Sequence, residues 1–396
     1  PDEIARPVSD PAETIMEVGS DARPSEPIRS QSGLGPFRVS LPALDHFPQK
    51  IWSRLLHRHA KNLSIEHMAY GEPAGYGPLR EAIAQYLRTA RAVRCDARQV
   101  LIVSGSQMAL QICARALLKP ADHVCLEEPG YPGARDALKS SGATLIPTLL
   151  DNEGIDISRI SRQGKRARAI YVTPSHQYPL GISMTASRRL ELLDWAQRNQ
   201  SWIIEDDYDS EYRYTSRPLG SLQGMDTASR VIYVGTFSKV LFPSLRVGYV
   251  VVPPALCNTF VQLRETLDIF SPTLYQLVLT DFLQEGHFAR HLRRMRAIYL
   301  ARRNALVEGL SKYCGKILML DNADAGLHLS AFLPEDLDDR EVVRRAEQRG
   351  ISVTALSTCY AGKKKRSGLI LGFGGAPEHQ LIRALKVLGN VISDLA

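Results

Sequence analysis

Residues 231–249 read VIYVGTFSKVLFPSLRVGY. The first four, Val231 to Val234, are an apolar run of strand length. A turn crowded with hydroxyls and two cations follows, with Thr236, Ser238, Lys239 and Arg246 inside eleven residues. A short, wholly apolar run predicts a strand buried on both faces, as in a parallel sheet. The loop that leaves the end of such a strand is where open α/β sheets carry their ligands. A lysine on a short loop after a buried strand has a reduced cost of deprotonation, which suits its amine to form an imine with an aldehyde. Hydroxyls and a guanidinium around it suit a phosphate dianion. Taken alone, Lys239 also reads as a solvated loop residue, so the neighbouring segments have to decide.

Three segments do so. IIEDDY at 203–208 puts carboxylates at the end of an apolar strand with Tyr208 just beyond. A carboxylate there, Asp206 or its neighbour Asp207, can hold a ring nitrogen protonated, and a phenol can bond a ring oxygen. The bland alternative for adjacent Asp residues is a turn or a helix cap. VSGSQMAL at 103–110 takes a strand through a glycine turn into a helix. The free N–H groups of Gly105, Ser106 and Gln107 then favour an anion. EEPGYPGAR at 127–135 presents Tyr131 on a turn, where its ring can lie on an aromatic face. Together the four segments ask for a ligand with a phosphate, an aldehyde, a pyridine nitrogen and a ring hydroxyl, which is pyridoxal 5′-phosphate.

The rest of the chain fits an enzyme-sized α/β protein. Strand-like runs recur at 123–126, 144–147, 168–172, 202–204, 230–234 and 247–252, with helical patterns between them, notably 186–199. This alternation predicts a largely parallel sheet. From about 273 the pattern becomes α+β, with a long helix over 287–312 and a strand near 368–373, which predicts a second, smaller domain. Residues 1–36 show no apolar period and read as a linker or tail. The expected divisions are then a segment 37–64 packing with the small domain, a large domain 65–285 and a small domain 286–396. With 396 residues, 44% hydrophobic and 23% charged, the composition excludes disordered and fibrous classes. No apolar run reaches membrane-spanning length. The net charge of +7 comes from cations scattered along the chain, which is weak support for nucleic-acid binding. Six cysteines without a C-x-x-C pair read as reduced thiols of a cytoplasmic protein. No metal arrangement is expected of His57, His59, His287 and His291, and the pair His287/His291 reads as solvated helix positions. The start at Pro1 raises the expectation that the native chain extends upstream.

At this point the sequence resembles the fold-type I pyridoxal-phosphate enzymes, the aspartate aminotransferase superfamily, and looks most like their MocR branch within the GntR superfamily of transcriptional regulators. The strings that carry the likeness are FPQKIWSRLL (47–56), YGEPAGYGPLR (70–80), TPSHQYPLG (173–181), EDDYDSEYRY (205–214), the 235–249 loop and HFARHLRRMRAIYLARR (287–303). The resemblance implies that Lys239 holds the cofactor aldehyde, Asp206 the pyridine nitrogen and Tyr208 the ring oxygen. Tyr131 would stack on the ring. Ser106, Gln107, Thr236, Ser238 and Arg246 would hold the phosphate, with Tyr70 reaching the site of a second copy in a homodimer. It further implies an effector-sensing and dimerisation domain whose DNA-binding winged helix lies outside this chain. The effector would be a small amine, an amino acid or the cofactor itself. A stand-alone aminotransferase is the alternative.

Two departures from the family pattern bear on activity. Where aminotransferases carry Asn-Pro-x-Gly, this chain has Tyr178-Pro179-Leu180-Gly181, so His176 or Gln177 is expected to take over the contact to the ring oxygen. Ile370 stands where the family places the arginine that binds a substrate carboxylate. Arg366 substitutes only if the strand register differs. The arginines of 287–303 read as the solvated face of a structural helix, because Phe288, Leu292, Met295 and Tyr299 recur at helical spacing. The run Lys363-Lys364-Lys365-Arg366 reads as an exposed loop.

Overall fold

The computed structural model describes residues 34–160, 164–214, 220–315, 317–320, 324–362 and 365–395. Most of the tail expected over 1–36, and Lys363 and Lys364 of the basic run, lie outside them. The larger sheet holds β1 (Val100–Val103), β2 (His123–Glu128), β3 (Thr144–Asp151), β4 (Gly154–Ile155), β5 (Ala169–Val172), β6 (Trp202–Asp207), β7 (Val231–Thr236) and β8 (Gly248–Val251). Their order is β1-β8-β7-β6-β5-β2-β3-β4. β7, β6, β5, β2 and β3 run parallel, β8 is antiparallel to its neighbours β7 and β1, and β4 folds back on β3. Every residue of β1, β5, β7 and β8 is buried, which is why these strands read as unbroken apolar runs. Leu110, Cys113 and Leu138, from helices Ser106–Leu117 and Pro132–Lys139, pack on Val124, Ile204 and Val234. On the opposite face Leu192 and Trp195 of helix Ala186–Arg198 pack on Ile170 and Ile203.

The register gathers the chemistry at one edge. β1 and β7 point the same way because each is antiparallel to β8, and Val103 and Thr236 both lie opposite Gly248. The loops after β1, β2, β5, β6 and β7 therefore all leave from the carboxyl edge of the parallel strands. Chain direction and right-handed crossovers make this the ligand edge of such a sheet.

The smaller sheet is antiparallel: β9 (Met319–Leu320), β10 (His328–Phe332), β11 (Thr354–Ala355) and β12 (Gly368–Gly372), ordered β11-β12-β10-β9. Helices His287–Cys314 and Glu378–Ser393 pack with it through Leu306, Leu310, Leu385 and Leu388. The segment from Leu34 runs across β12, where Phe37 O accepts from Gly372 N at 3.1 Å. Phe288, Leu292, Met295 and Tyr299 are buried, as their spacing predicts. Two positions of that helix depart from the solvated face expected of it. Arg302 is buried and donates to Asp45 Oδ2 at 2.8 Å and to Gly374 O, tying the amino-terminal segment down. His291 is buried with its Nε2 2.9 Å from Val240 O, one residue beyond Lys239. In both, a long-range polar partner, invisible to periodicity, draws the side chain inward. No helix of the described residues is long and apolar enough to cross a membrane. Cys113, Cys125, Cys314 and Cys359 are buried free thiols.

Candidate functional site

The phosphate end is built by glycine. Gly105, at φ +96°, caps helix Ser106–Leu117, and a Cβ there would lie 2.9 Å from Arg246 Nη2. Its absence lets the guanidinium lie over the turn and donate to Ser104 O at 2.6 Å. Gly248 makes the matching allowance from β8, since its Cβ would lie 3.0 Å from Gly105 Cα. The helix's first N–H groups and Arg246 thus meet at one place, and Thr236, opposite Gly248 across the β7–β8 pair, ends its strand beside them. Thr236 Oγ1 already accepts from Ser238 N at 3.1 Å, which shapes the start of the lysine loop. A cavity of about 710 Å³ opens beside them, lined by Ser104, Gln107, Arg246, Ser271 and Tyr275 among others. Free N–H groups and a cation at a helix start form an anion site.

Asp206 and Asp207 end β6 and face opposite ways, because strand side chains alternate. Asp207 accepts from Arg91 Nε at 2.9 Å and from the Tyr233 hydroxyl at 2.5 Å, and Arg91 also bonds Ser175 Oγ at 2.8 Å. The alternative pyridine contact is therefore already engaged in a buried ion pair. Asp206 accepts from Tyr171 at 2.8 Å through Oδ2, while its Oδ1 is buried without a partner. Burial pushes this carboxyl up to about 7, opposed by the Tyr171 hydroxyl and reinforced by the charge on Asp207. Burial also lowers Lys239 to about 8, with Asp209 and Asp206 opposing it and Arg246 adding to it. A buried orphan oxygen beside a lysine that has lost part of its proton affinity fits a cationic ring nitrogen and a carbonyl carbon.

The remaining wall comes from loop 173–181 and from β10. Tyr131 leans over Gly133, where any Cβ would fall 2.6 Å from its ring, and its neighbour Gln107 donates to Gly133 O at 2.8 Å. The Tyr178 ring meets Tyr131 edge-on at 5.5 Å. Gln177 bonds Pro129 O, Tyr178 O and Leu180 N, so it shapes the loop and is not the substitute for the family's asparagine that its position suggests. His176 Nδ1 lies 3.0 Å from Asp209 Oδ1 and 3.0 Å from the Tyr208 hydroxyl. Asp209 also accepts from Leu327 N at 3.1 Å, which ties this cluster to the segment leading into β10. His328 was not foreseen. It donates from Nε2 to Pro179 O at 3.1 Å and stacks on Tyr208 with ring centroids 6.5 Å apart. Burial and the adjacent His176 hold its pKa well below the usual imidazole value. Donor atoms of His176, Asp209 and His328 lie within 4.8 Å of one another.

The profile of the family described as aminotransferase class I and II matches residues 48–370. The chain belongs to that family. Its curated relatives include the probable rhizopine catabolism regulatory protein MocR of Rhizobium meliloti, 41% identical over 86% of this chain and 68% of the relative. The HTH-type transcriptional regulator YdeL of Bacillus subtilis is 36% identical over 87% of this chain and 73% of its own. Among solved structures, the α-aminoadipate aminotransferase LysN of Thermus thermophilus superposes with TM-score 0.87 at 27% identity, covering 94% of this chain and 96% of that one. Within the family the chain is thus most like the aminotransferase-like part of MocR-type regulators.

As a class I and II aminotransferase fold, the chain brings the residues expected from sequence to the carboxyl edge of its sheet, Tyr70 apart. Tyr70 is 83% exposed, and its ring sits 6.1 Å from Phe270. The register settles Arg366. Ile370 pairs with Ser330 and Thr354, whereas Arg366 precedes β12 and lies exposed over the Phe332 ring, so it does not take the arginine's place. His328 carried no local signal, because its place follows from the pairing of β10 with β12. Glu127 had none. It is buried against Thr173 Oγ1 at 2.6 Å and pushed up to about 7 by burial.

Proposed function

We propose that this chain is the effector-sensing and dimerisation domain of a MocR-type transcriptional regulator, with pyridoxal 5′-phosphate as its cofactor. When bound, the cofactor supplies a carbonyl that condenses with amines and a ring that withdraws electrons. The residues fit it. Lys239 is the amine that would hold the aldehyde, and the unpartnered Asp206 Oδ1 would accept a hydrogen bond from a protonated ring nitrogen. Gly105, Ser106, Gln107, Thr236, Ser238 and Arg246 take the phosphate. Tyr131 would cover the ring, and Tyr208, held beside His176 and Asp209, would bond the ring oxygen. Lys239 Nζ, lowered to about 8, can take up or release a proton near neutral pH and is the base within the site. DNA contact belongs to a segment outside these 396 residues, the working unit is a homodimer, and the compartment is the cytoplasm.

One observation carries regulation over turnover. Within this chain the residues that would hold the cofactor are present, yet Ile370 stands where the family's carboxylate clamp would be. Without that clamp nothing bidentate orients an amino acid, and orientation is worth several kcal/mol of barrier. Borohydride should bleach the near-visible band and leave the cofactor fixed on the Lys239 peptide, and Lys239→Ala should abolish both. Steady-state assays over common L-amino acids with 2-oxoglutarate or pyruvate should run at least about 10³-fold below a working aminotransferase, a loss on the order of 4 kcal/mol. A turnover of about 1 s⁻¹ or more decides for an aminotransferase instead.

A further inference from the structure

We infer that the ligand recognised at this site is a primary amine that bears no carboxylate on the amine-carrying carbon, selected by a small-sheet wall made of Tyr178, His328 and Ile370. The inference rests on the cofactor reading above and narrows it to one chemical class.

The wall follows from register. In an antiparallel pair directly opposed residues share a face, and so do residues two apart on one strand. Ser330 and Ile370 are directly opposed, and His328 precedes Ser330 by two. Ser330 Oγ and His328 Nε2 both donate to Pro179 O, at 2.7 and 3.1 Å. The face holding Ile370 is therefore the one turned to the Tyr178–Pro179 turn. Tyr178 links it to the cofactor side, with its ring 5.5 Å from Tyr131 and 5.3 Å from His328.

The wall offers an anion nothing to pair with. Ile370 is fully buried in an apolar cluster with Leu180, Phe332 and Leu356, against which Tyr178 packs. His328 has committed its N–H to Pro179 O and is held neutral by burial and by His176. The arginines described around the cleft are turned to other partners. Arg246 is taken up at the phosphate end, Arg213 reaches Ser175 O and Ser183 Oγ, Arg135 reaches Tyr360 O, and Arg366 covers Phe332. A carboxylate brought to this wall would shed water without gaining a counter-charge. An amine lacking one forfeits nothing, and its remaining groups meet aromatic rings and a neutral imidazole. An unpaired, desolvated charge on the competing ligand is one of the two routes to specificity.

The test titrates the holoprotein with pairs that differ only in the carboxylate, followed by the near-visible spectrum: phenylalanine and phenethylamine, serine and ethanolamine, alanine and ethylamine, lysine and cadaverine. Each affinity is taken relative to free pyridoxal phosphate in the same buffer, which removes the amines' own difference in basicity. The expected result is at least one pair whose amine binds about tenfold or more tighter than its amino acid, with no pair reversed. A panel with no such pair, or any amino acid preferred tenfold, overturns the inference. If reconstitution gives no chromophore that Lys239→Ala removes, the cofactor reading itself has failed. A Lys239-dependent chromophore without amine preference sinks only the inference. The wild-type comparison decides alone, because Ile370→Arg buries a charge and risks the fold. Where that variant folds, it should move the preference toward amino acids.

Discussion

Asp206 and Asp207 show how one residue of register assigns opposite tasks. Both are buried at the end of β6. Asp207 is tied through Oδ2 to Arg91 and Tyr233, although its Oδ1 is also buried without a hydrogen-bond partner; the ion pair makes it part of the folded framework, and removing Arg91 would strand a buried charge. Asp206 keeps an oxygen in reserve and is pushed up to about 7, while Lys239 is lowered to about 8. Both shifts favour the uncharged form, and cofactor capture needs the opposite of one of them. Asp206 must lose its proton to hold a ring N–H, and Lys239 must lose its proton to attack a carbonyl. Raising the pH ionises Asp206 as it passes about 7 and frees the Lys239 amine as it passes about 8. The rate of cofactor uptake by the apoprotein should therefore climb from about pH 6 to about pH 8.5 and then level. Stopped-flow absorbance at stepped pH checks this, and a profile flat or falling over that span contradicts the assignment. In Asp206→Asn the lower part of the climb should vanish while the part belonging to Lys239 remains.

At the scale of elements the phosphate turn is the most constrained piece. Gly105 occupies a φ of +96° that side chains rarely adopt, and its missing Cβ is the space that Arg246 fills. Gly105→Ala should cost on the order of 1–3 kcal/mol in strain and in displaced guanidinium, weakening cofactor affinity by about tenfold to a hundredfold. Equilibrium titration with pyridoxal phosphate measures it, and Ala at Gly77, where added atoms meet open space, is the control. This turn was legible in the sequence because its chemistry is local: an apolar run, a glycine, then a helix. The strands of the larger sheet, β4 apart, were legible for the same reason, being short apolar runs with turn residues between. What escaped depends on pairing between distant segments. β4 and β11 are two residues long and exist only through their partners. His328 faces the site only because β10 lies beside β12 in one register. His291 turns inward only because Val240 O waits 51 residues away. Periodicity sees a face of one element and is blind to the polar group another element brings to it.

At the scale of the whole molecule, the residue that does not fit a single chain is the informative one. Tyr70 is 83% exposed, and Ile65 and Met68 just before it are 82% and 66% exposed. Large side chains this bare on one short stretch mark an interaction surface. The cavity beside Arg246 is lined in part by Tyr275 and Pro272, which follow closely on Phe270, the ring against Tyr70. We expect a second copy to cover this face, so that Tyr70 of each chain completes the phosphate end of the other. The protein should then sediment at twice 44.0 kDa at micromolar concentration, since obligate interfaces of this kind bury well over about 2,000 Å². Sedimentation alone does not say whose Tyr70 serves which site, but complementation does. Lys239→Ala leaves no site able to hold the cofactor covalently, and Tyr70→Ala should weaken every site. Co-expressed, the two chains form mixed dimers. If Tyr70 acts across the dimer, one site of each mixed dimer carries both lesions and the other carries none. About a quarter of all sites should then bind with wild-type affinity, given random pairing of a two-fold dimer. If Tyr70 acts within its own chain, no site is restored and every remaining chromophore titrates with the weakened affinity of Tyr70→Ala. Two-phase titration curves from the co-expressed protein, against a single weak phase when the variants are purified apart and assayed separately, are the outcome that places Tyr70 in the partner's site.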